Sequence, residues 1–336
     1  SVNTQGTYLN QVFVGMFRPD DSAYPRWNGN LKQYKLGVDG SNQLILQDAS
    51  GANAINNQTG FIAPCARSFW TPTSRNTYWS FNPSGDCISS DTTIDLRASD
   101  SPDGNVVEKG AQAYMLRQVA TADRNVMTCA PGACSALTTF ADGNAGITST
   151  ALGAQTTTER TALINWLRGL DNKGDERKDT TGNPLTSTTA MRPSVHGDVV
   201  HSRPVAINYG SDDLANAQVV VFYGANDGVL RAVNGNQATS IGSAAPGSEL
   251  WSFVPPEFYG SIKRLYDNTT RINFPGIPVS VGATAPKPYG MDGPMAAYHQ
   301  GTSAWLYASM RRGGRLIYAF DVSNPATPVL KWRRGC

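Results

Sequence analysis

Two segments of this chain are built to the same rule, and that repeat limits the fold more than any other feature. Val219-Val220-Val221-Phe222-Tyr223 enters a turn containing Gly224, Asn226, Asp227 and Gly228, and Val229 to Val233 leaves it. Further on, Ala304-Trp305-Leu306-Tyr307-Ala308 enters Arg311-Arg312-Gly313-Gly314, and Leu316 to Asp321 leaves it. Apolar runs on either side of a Gly- and Asn-rich turn are hairpin signals. Each hairpin is followed by a strand carrying tryptophan, Glu249-Leu250-Trp251-Ser252-Phe253 in the first copy and Val329-Leu330-Lys331-Trp332 in the second.

Such a unit cannot bury both of its faces alone and needs a neighbour stacked on it, which is how a β-propeller blade reads in sequence. The expected fold is mainly β with a few helices, an incomplete β-propeller preceded by a mixed β/α region. The division is expected at residues 180–190, Thr-, Gly-, Pro- and Ser-rich with almost no apolar content. It gives a pre-propeller region of 1–190 and first blades over 191–336.

Composition agrees with a turn-rich β protein, since 33 Gly and 20 Pro accompany only 16% charged residues. A net charge of +2 without basic runs interleaved with aromatics argues against a nucleic-acid partner. No apolar segment approaches the roughly 20 residues that span a bilayer, and the first residues lack a signal-peptide pattern. The expectation is a mature or excised soluble piece with no membrane span.

Of the five cysteines, Cys129 and Cys134 enclose a Pro-Gly turn able to bring their sulfurs together. They are read as a local disulfide. Cys65 with Cys87 is the second expected bridge, which leaves Cys336 without a partner. Disulfides place the protein in an oxidising compartment. A zinc site would want closer Cys pairs and matched histidines, and His196, His201 and His299 lack that spacing.

Tyr8 to Phe17, Leu31 to Leu36 and Gln43 to Gln47 predict a small sheet, with Asn28-Gly29 as a turn, Trp27 as a core aromatic and a second turn at Asp39-Gly40-Ser41. Residues 49–103 read as ordered loop pinned by Phe61, Phe69, Trp70, Tyr78, Trp79 and Phe81. A first helix is expected from Asn105, with Glu108 completing a capping box, and a second from Thr156 with Glu159, placing Leu163, Trp166, Leu167 and Leu170 in the core. Pro255-Pro256-Glu257 opens a third, whose inner face holds Phe258, Ile262 and Leu265.

His196, Asp198, His201 and Arg203 gather the residue types of proton or metal chemistry. On a strand, however, the two histidines would point to opposite faces, and polar groups holding a neighbouring segment are the stronger reading. Asp171 to Asp179 has a glycine where a calcium turn wants one. Lys173 interrupts its alternating oxygens, so a solvated charged loop is expected. Gly-x-Ser-x-Gly is absent, and the glycines of 224–228 lie between strands rather than before a helix. Asp227 is expected to cap its own turn. No catalytic, cofactor-binding or metal-ligating residue is assigned.

Arg192-Pro-Ser-Val-His-Gly-Asp-Val-Val-His-Ser-Arg-Pro204, Asn208-Tyr209-Gly210, Gly224-Ala-Asn-Asp-Gly-Val-Leu230 and Trp251-Ser-Phe-Val-Pro-Pro-Glu257 resemble the start of the propeller in the PilC/PilY family of type IV pilus tip proteins. Arg26-Trp-Asn-Gly-Asn-Leu-Lys-Gln-Tyr34, Ala66-Arg-Ser-Phe-Trp70 and Trp166-Leu-Arg-Gly-Leu-Asp171 with Asp175-Glu176 are similar to the segment before it. The resemblance implies an extracellular protein at the pilus tip or outer cell surface, exported through the periplasm. It implies roles in pilus biogenesis, control of retraction and adhesion, with minor pilins and a host or abiotic surface receptor as partners. The family's alternating-Asp calcium loop has no counterpart before Cys336, so no cofactor is expected in this chain, and the amino-terminal von Willebrand A-like domain is missing too. Asp227-Gly-Val-Leu-Arg-Ala232 before Trp251 also resembles quinoprotein dehydrogenase blades, the alternative reading. Those enzymes want a closed ring and usually adjacent cysteines, which this chain does not have.

Overall fold

The computed structural model describes residues 2–75, 87, 99–179, 181, 183–213, 215–273, 282 and 284–335. Tyr78, Trp79, Phe81 and Cys336, all named above, lie outside them. The described chain is mainly β, with several sheets of which none closes on itself.

The first sheet is a four-stranded antiparallel meander of β1 (Val2–Tyr8), β2 (Gln11–Arg18), β3 (Asn28–Val38) and β4 (Leu44–Gln47). The turn at Asp39 forms as expected, its Oδ1 accepting the Ser41 and Gln43 amides at 2.8 and 2.9 Å. Asn28-Gly29 is not a turn. It starts β3, with Gly29 opposite Phe17, because the strand runs against the loop at residue 197. A Cβ on Gly29 would fall 2.0 Å from the Gly197 carbonyl oxygen, so this glycine is required for close approach.

The central sheet has six strands in the order β6-β5-β12-β11-β10-β9. It combines β5 (Val126–Cys129) and β6 (Leu137–Thr139) with β9 (Val205–Asn208), β10 (Val219–Gly224), β11 (Leu230–Asn234) and β12 (Glu249–Phe253). The sheet therefore takes strands from both sides of the 180–190 stretch, which itself carries part of a short ladder of β7 (Arg177–Lys178) with β8 (Pro184–Leu185). A further two-residue ladder joins β13 (Arg271–Ile272) to β14 (Thr284–Ala285). The last sheet, β15 (Met295–Gln300), β16 (Ser303–Ser309), β17 (Leu316–Asp321) and β18 (Val329–Gly335), is again an antiparallel meander.

Both sequence hairpins form, and each tryptophan strand pairs with the second strand of its hairpin. Trp251 faces Ala232 and Trp332 faces Ala319, with a register shift one residue beyond that alanine in both ladders. The central sheet is covered on two sides. Val220, Phe222, Leu230, Trp251 and Phe253 meet Leu306, Tyr318 and Phe320 of the last sheet, while Val219, Val221, Tyr223 and Val233 meet Phe13, Leu31 and Trp70. That two-sided cover explains the unbroken apolar run at 219–223, all fully buried, where a half-buried strand would alternate. Each such side chain contributes about 1.5–3 kcal/mol of transfer free energy.

Of the helices, α1 (Ala111–Arg117) starts six residues after the expected cap at Asn105. Glu108 does not turn back to Asn105, because it accepts from Arg18 and from Asn28 Nδ2. The buried Lys32 ammonium collects the carbonyls of Asp103, Gly104 and Val106 and holds that backbone out of a helix. A single turn, α2 (Ser149–Leu152), precedes α3 (Thr157–Leu167). α3 is capped as predicted: Thr156 Oγ1 accepts the Glu159 amide at 3.0 Å, and Glu159 accepts the Gln155 amide. Pro256 opens the turn before α4 (Tyr259–Asp267), which buries Ile262 and Leu265 behind Phe258.

Candidate functional site: a buried polar clasp

Residues 192–204 form no regular strand, and Arg26, Trp27, Trp166, Glu176, Asn226 and Asp227, which stand in separate sequence motifs, converge on them. Arg192 is fully buried, its guanidinium 3.8 Å from the centre of the Trp166 ring, and Nη1 donates to the Trp166 carbonyl. Arg26 lies over the same ring at 5.1 Å, reaches the carboxylates of Asp175 and Glu176, and donates to the Leu265 and Tyr266 carbonyls at the end of α4. A cation on the last carbonyls of a helix answers its orphaned acceptors and the negative end of its dipole. Glu176 also accepts the Ser194 amide at 2.7 Å.

The acidic loop 171–179 is only partly the solvated loop expected: Asp175 is exposed, while Asp171 and Glu176 are tied to the fold. Asp171 pairs with Arg177, Asp175 and Glu176 are held by Arg26, and the Lys173 ammonium sits 4.8 Å from the centre of the Tyr266 ring. Among the described residues, no group of three or more His, Cys, Asp or Glu side chains is arranged to hold a metal.

His196 and His201 part, though not by strand alternation. His196 is buried, stacked on Tyr223 with Nε2 at 2.7 Å from the phenol oxygen and Nδ1 at 2.7 Å from the Gly197 carbonyl. Burial, reinforced by the Arg231 charge, pushes its pKa down to about 3. His201 turns outward, with Nδ1 2.8 Å from Asp292. Asp198 is buried and pairs with Lys287 at 3.1 Å while accepting from Asn226 at 2.8 Å. Burial raises its pKa against the opposing pull of Lys287. Lys287 lies 4.1 Å above Trp27, which is a half-buried cation platform rather than a core ring.

Asp227 caps its own turn, accepting the Val229 amide at 3.1 Å, and also takes the Gly197 amide at 3.0 Å and the Arg231 guanidinium. A Cβ on Gly197 would lie 2.6 Å from that of Asp227, which is why position 197 admits no side chain. What these groups enclose is a gap of about 10 Å³ between Arg26, Trp27, Trp166, Arg192, Asp198 and Asp227, at the lower limit for a single water. The arrangement binds segment to segment. Lys287 and Asp292 carried no sequence signal as partners, since each acts across the fold, on Asp198 and His201 respectively.

The cysteine pairs Cys65–Cys87 and Cys129–Cys134 lie at bonding distance, with Cα atoms 4.9 and 4.8 Å apart. The second closes the β5–β6 turn and is buried.

Sheets stacked face to face and joined by such a clasp define a mainly β scaffold with a few helices. Over about half its length the chain is similar to PilY1-family type IV pilus proteins. It is 28% identical over 188 residues to the type IV pilus biogenesis factor PilY1 of Pseudomonas aeruginosa, a match covering 48% of this chain and 14% of the relative. The same figures hold for PilY1 of a second strain of that organism. With a PilY1 homolog of Xylella fastidiosa the identity is 25% over 193 residues, 50% of this chain and 13% of that protein. The chain thus matches only 13–14% of the length of these relatives. No family model and no solved structure matches it. Among the described residues no helix is long and apolar enough to cross a membrane.

Proposed function

We propose that the chain is part of a type IV pilus protein that works by binding, at the pilus tip or outer cell surface, in pilus biogenesis, control of retraction and adhesion. The similarity to the PilY1 factors carries this reading, and the cysteine pairs suit an exported protein. Minor pilins on one side and a host or abiotic surface on the other are the proposed partners. Around Arg192, His196, Asp198 and Asp227 the polar groups are engaged with one another, which suits a scaffold that works by binding.

The two repeated sheets are proposed as consecutive blades of a β-propeller, with 1–190 as the region before it. The shared register supports this: the pairs Phe222–Ala232 and Ala232–Trp251 of the central sheet recur as Tyr307–Ala319 and Ala319–Trp332 in the last. An antibody against the chain should detect it in pili sheared from the source bacterium and purified. Its complete absence from sheared pili, with the protein present in the cells, would sink the reading.

A further inference from the structure

We infer that a second site, on the outer side of residues 192–204, binds a small organic oxyanion, a carboxylate or phosphate carried on a sugar-sized molecule. Val200, His201 and Arg203, Pro294 just before β15 and Arg311 just after β16 line a cleft of about 460 Å³. That volume lies within the roughly 300–1,000 Å³ typical of small-molecule sites.

The ionisable side chains lining the cleft are His201, Arg203 and Arg311. Arg203 and Arg311 are exposed, and among the described residues neither guanidinium has a hydrogen-bond or ion-pair partner. This sets them apart from Arg26, Arg192 and Arg231, which are engaged by acids, carbonyls or a ring. Arg311 is moreover held at φ 50°, a left-handed conformation that costs a non-glycine residue free energy. The neighbouring Arg312 is occupied by Tyr289, with Nη1 3.1 Å from its hydroxyl.

Beneath the cleft, the Asp292 side chain has no exposure and holds His201 Nδ1 at 2.8 Å, while its Oδ1 has no hydrogen-bond partner among the described residues. The acceptor fixes the hydrogen on Nδ1, so Nε2, at the edge of a ring that is 27% exposed, is left to accept from a hydroxyl of the ligand's sugar-sized body. Two planar forks beside an oriented imidazole match carboxylate or phosphate oxygens, to which guanidinium donates in pairs. Val200 and Pro294 add an apolar wall for a carbon skeleton. The inference is independent of the pilus reading.

Titration calorimetry of the 336-residue chain with glucuronate, glucose 6-phosphate and glucose tests it. Saturable binding of either acid and not of glucose is expected, and which acid binds distinguishes carboxylate from phosphate. Arg203→Gln and Arg311→Gln should each weaken binding about tenfold or more with the melting temperature unchanged, because both side chains are exposed. The His201 imidazole ¹⁵N resonances should shift with the bound acid. Binding of glucose equal to that of the acids, no saturable binding of either acid, or a double arginine variant that binds as tightly as the parent overturns the inference.

Discussion

His196 is held neutral by the fold. Buried against Tyr223 and near Arg231, its imidazole has a pKa lowered to about 3 from an ordinary 6.5. Below pH 6.5 the unfolded chain takes up a proton that the folded chain refuses, so this residue's contribution to stability is complete above that value. It declines as the pH falls toward about 3. Urea midpoints of the parent should fall more steeply between pH 7 and 5 than those of His196→Gln; equal slopes would contradict the buried, neutral imidazole. Asp198 and Lys287 form a buried pair, and removing one partner of such a pair costs about 3–5 kcal/mol. Asp198→Ala should lose that much in urea unfolding, whereas the double variant Asp198→Leu, Lys287→Met should lose less, since no charge is then left without its counterpart. A loss below about 1 kcal/mol in Asp198→Ala would place the pair in solvent. The sequence marked Asp198 and His196 as unusual and Asp227 as a turn cap. It did not reveal Lys287, because an ion pair across 89 residues has no local signature.

Elements whose signals are local were legible. Both hairpins, both tryptophan strands and the Thr156 cap read directly, since apolar runs and capping side chains act within a few residues. The Asn105 cap and the Asn28-Gly29 turn misled for one reason: a distant partner outbid the local preference. Lys32 took the carbonyls of the would-be helix, and the Gly197 loop pressed Gly29 into a strand. The β5–β6 turn supplies an element-scale test. Bonding of Cys129 to Cys134 across five positions should contribute about 2 kcal/mol by loop closure. Cys129→Ala with Cys134→Ala should therefore lower the unfolding free energy by that order, and peptide mapping without reductant should recover the two cysteines linked. Full alkylation of both in the native protein would refute the bridge.

At the scale of the whole molecule the sequence announced repeated, stacked sheets, and the central sheet is indeed covered by the last one through the faces that carry Trp251 and Phe320. It did not announce that strands from residues 126–139 extend the central sheet, because the parallel pairing of β5 with β12 joins positions 126 apart in sequence. Nor did it show that motifs from Arg26 to Asp227 meet in one clasp. Their spacing along the chain does not encode their meeting in space. The central claim is that this scaffold serves a type IV pilus by binding. The most direct measurement is to delete the gene in the source bacterium, restore it from a plasmid, and count surface pili by electron microscopy alongside twitching and attachment. The account predicts reduced piliation, twitching or attachment, recovered on complementation. A deletion strain with normal piliation, twitching and attachment would contradict it.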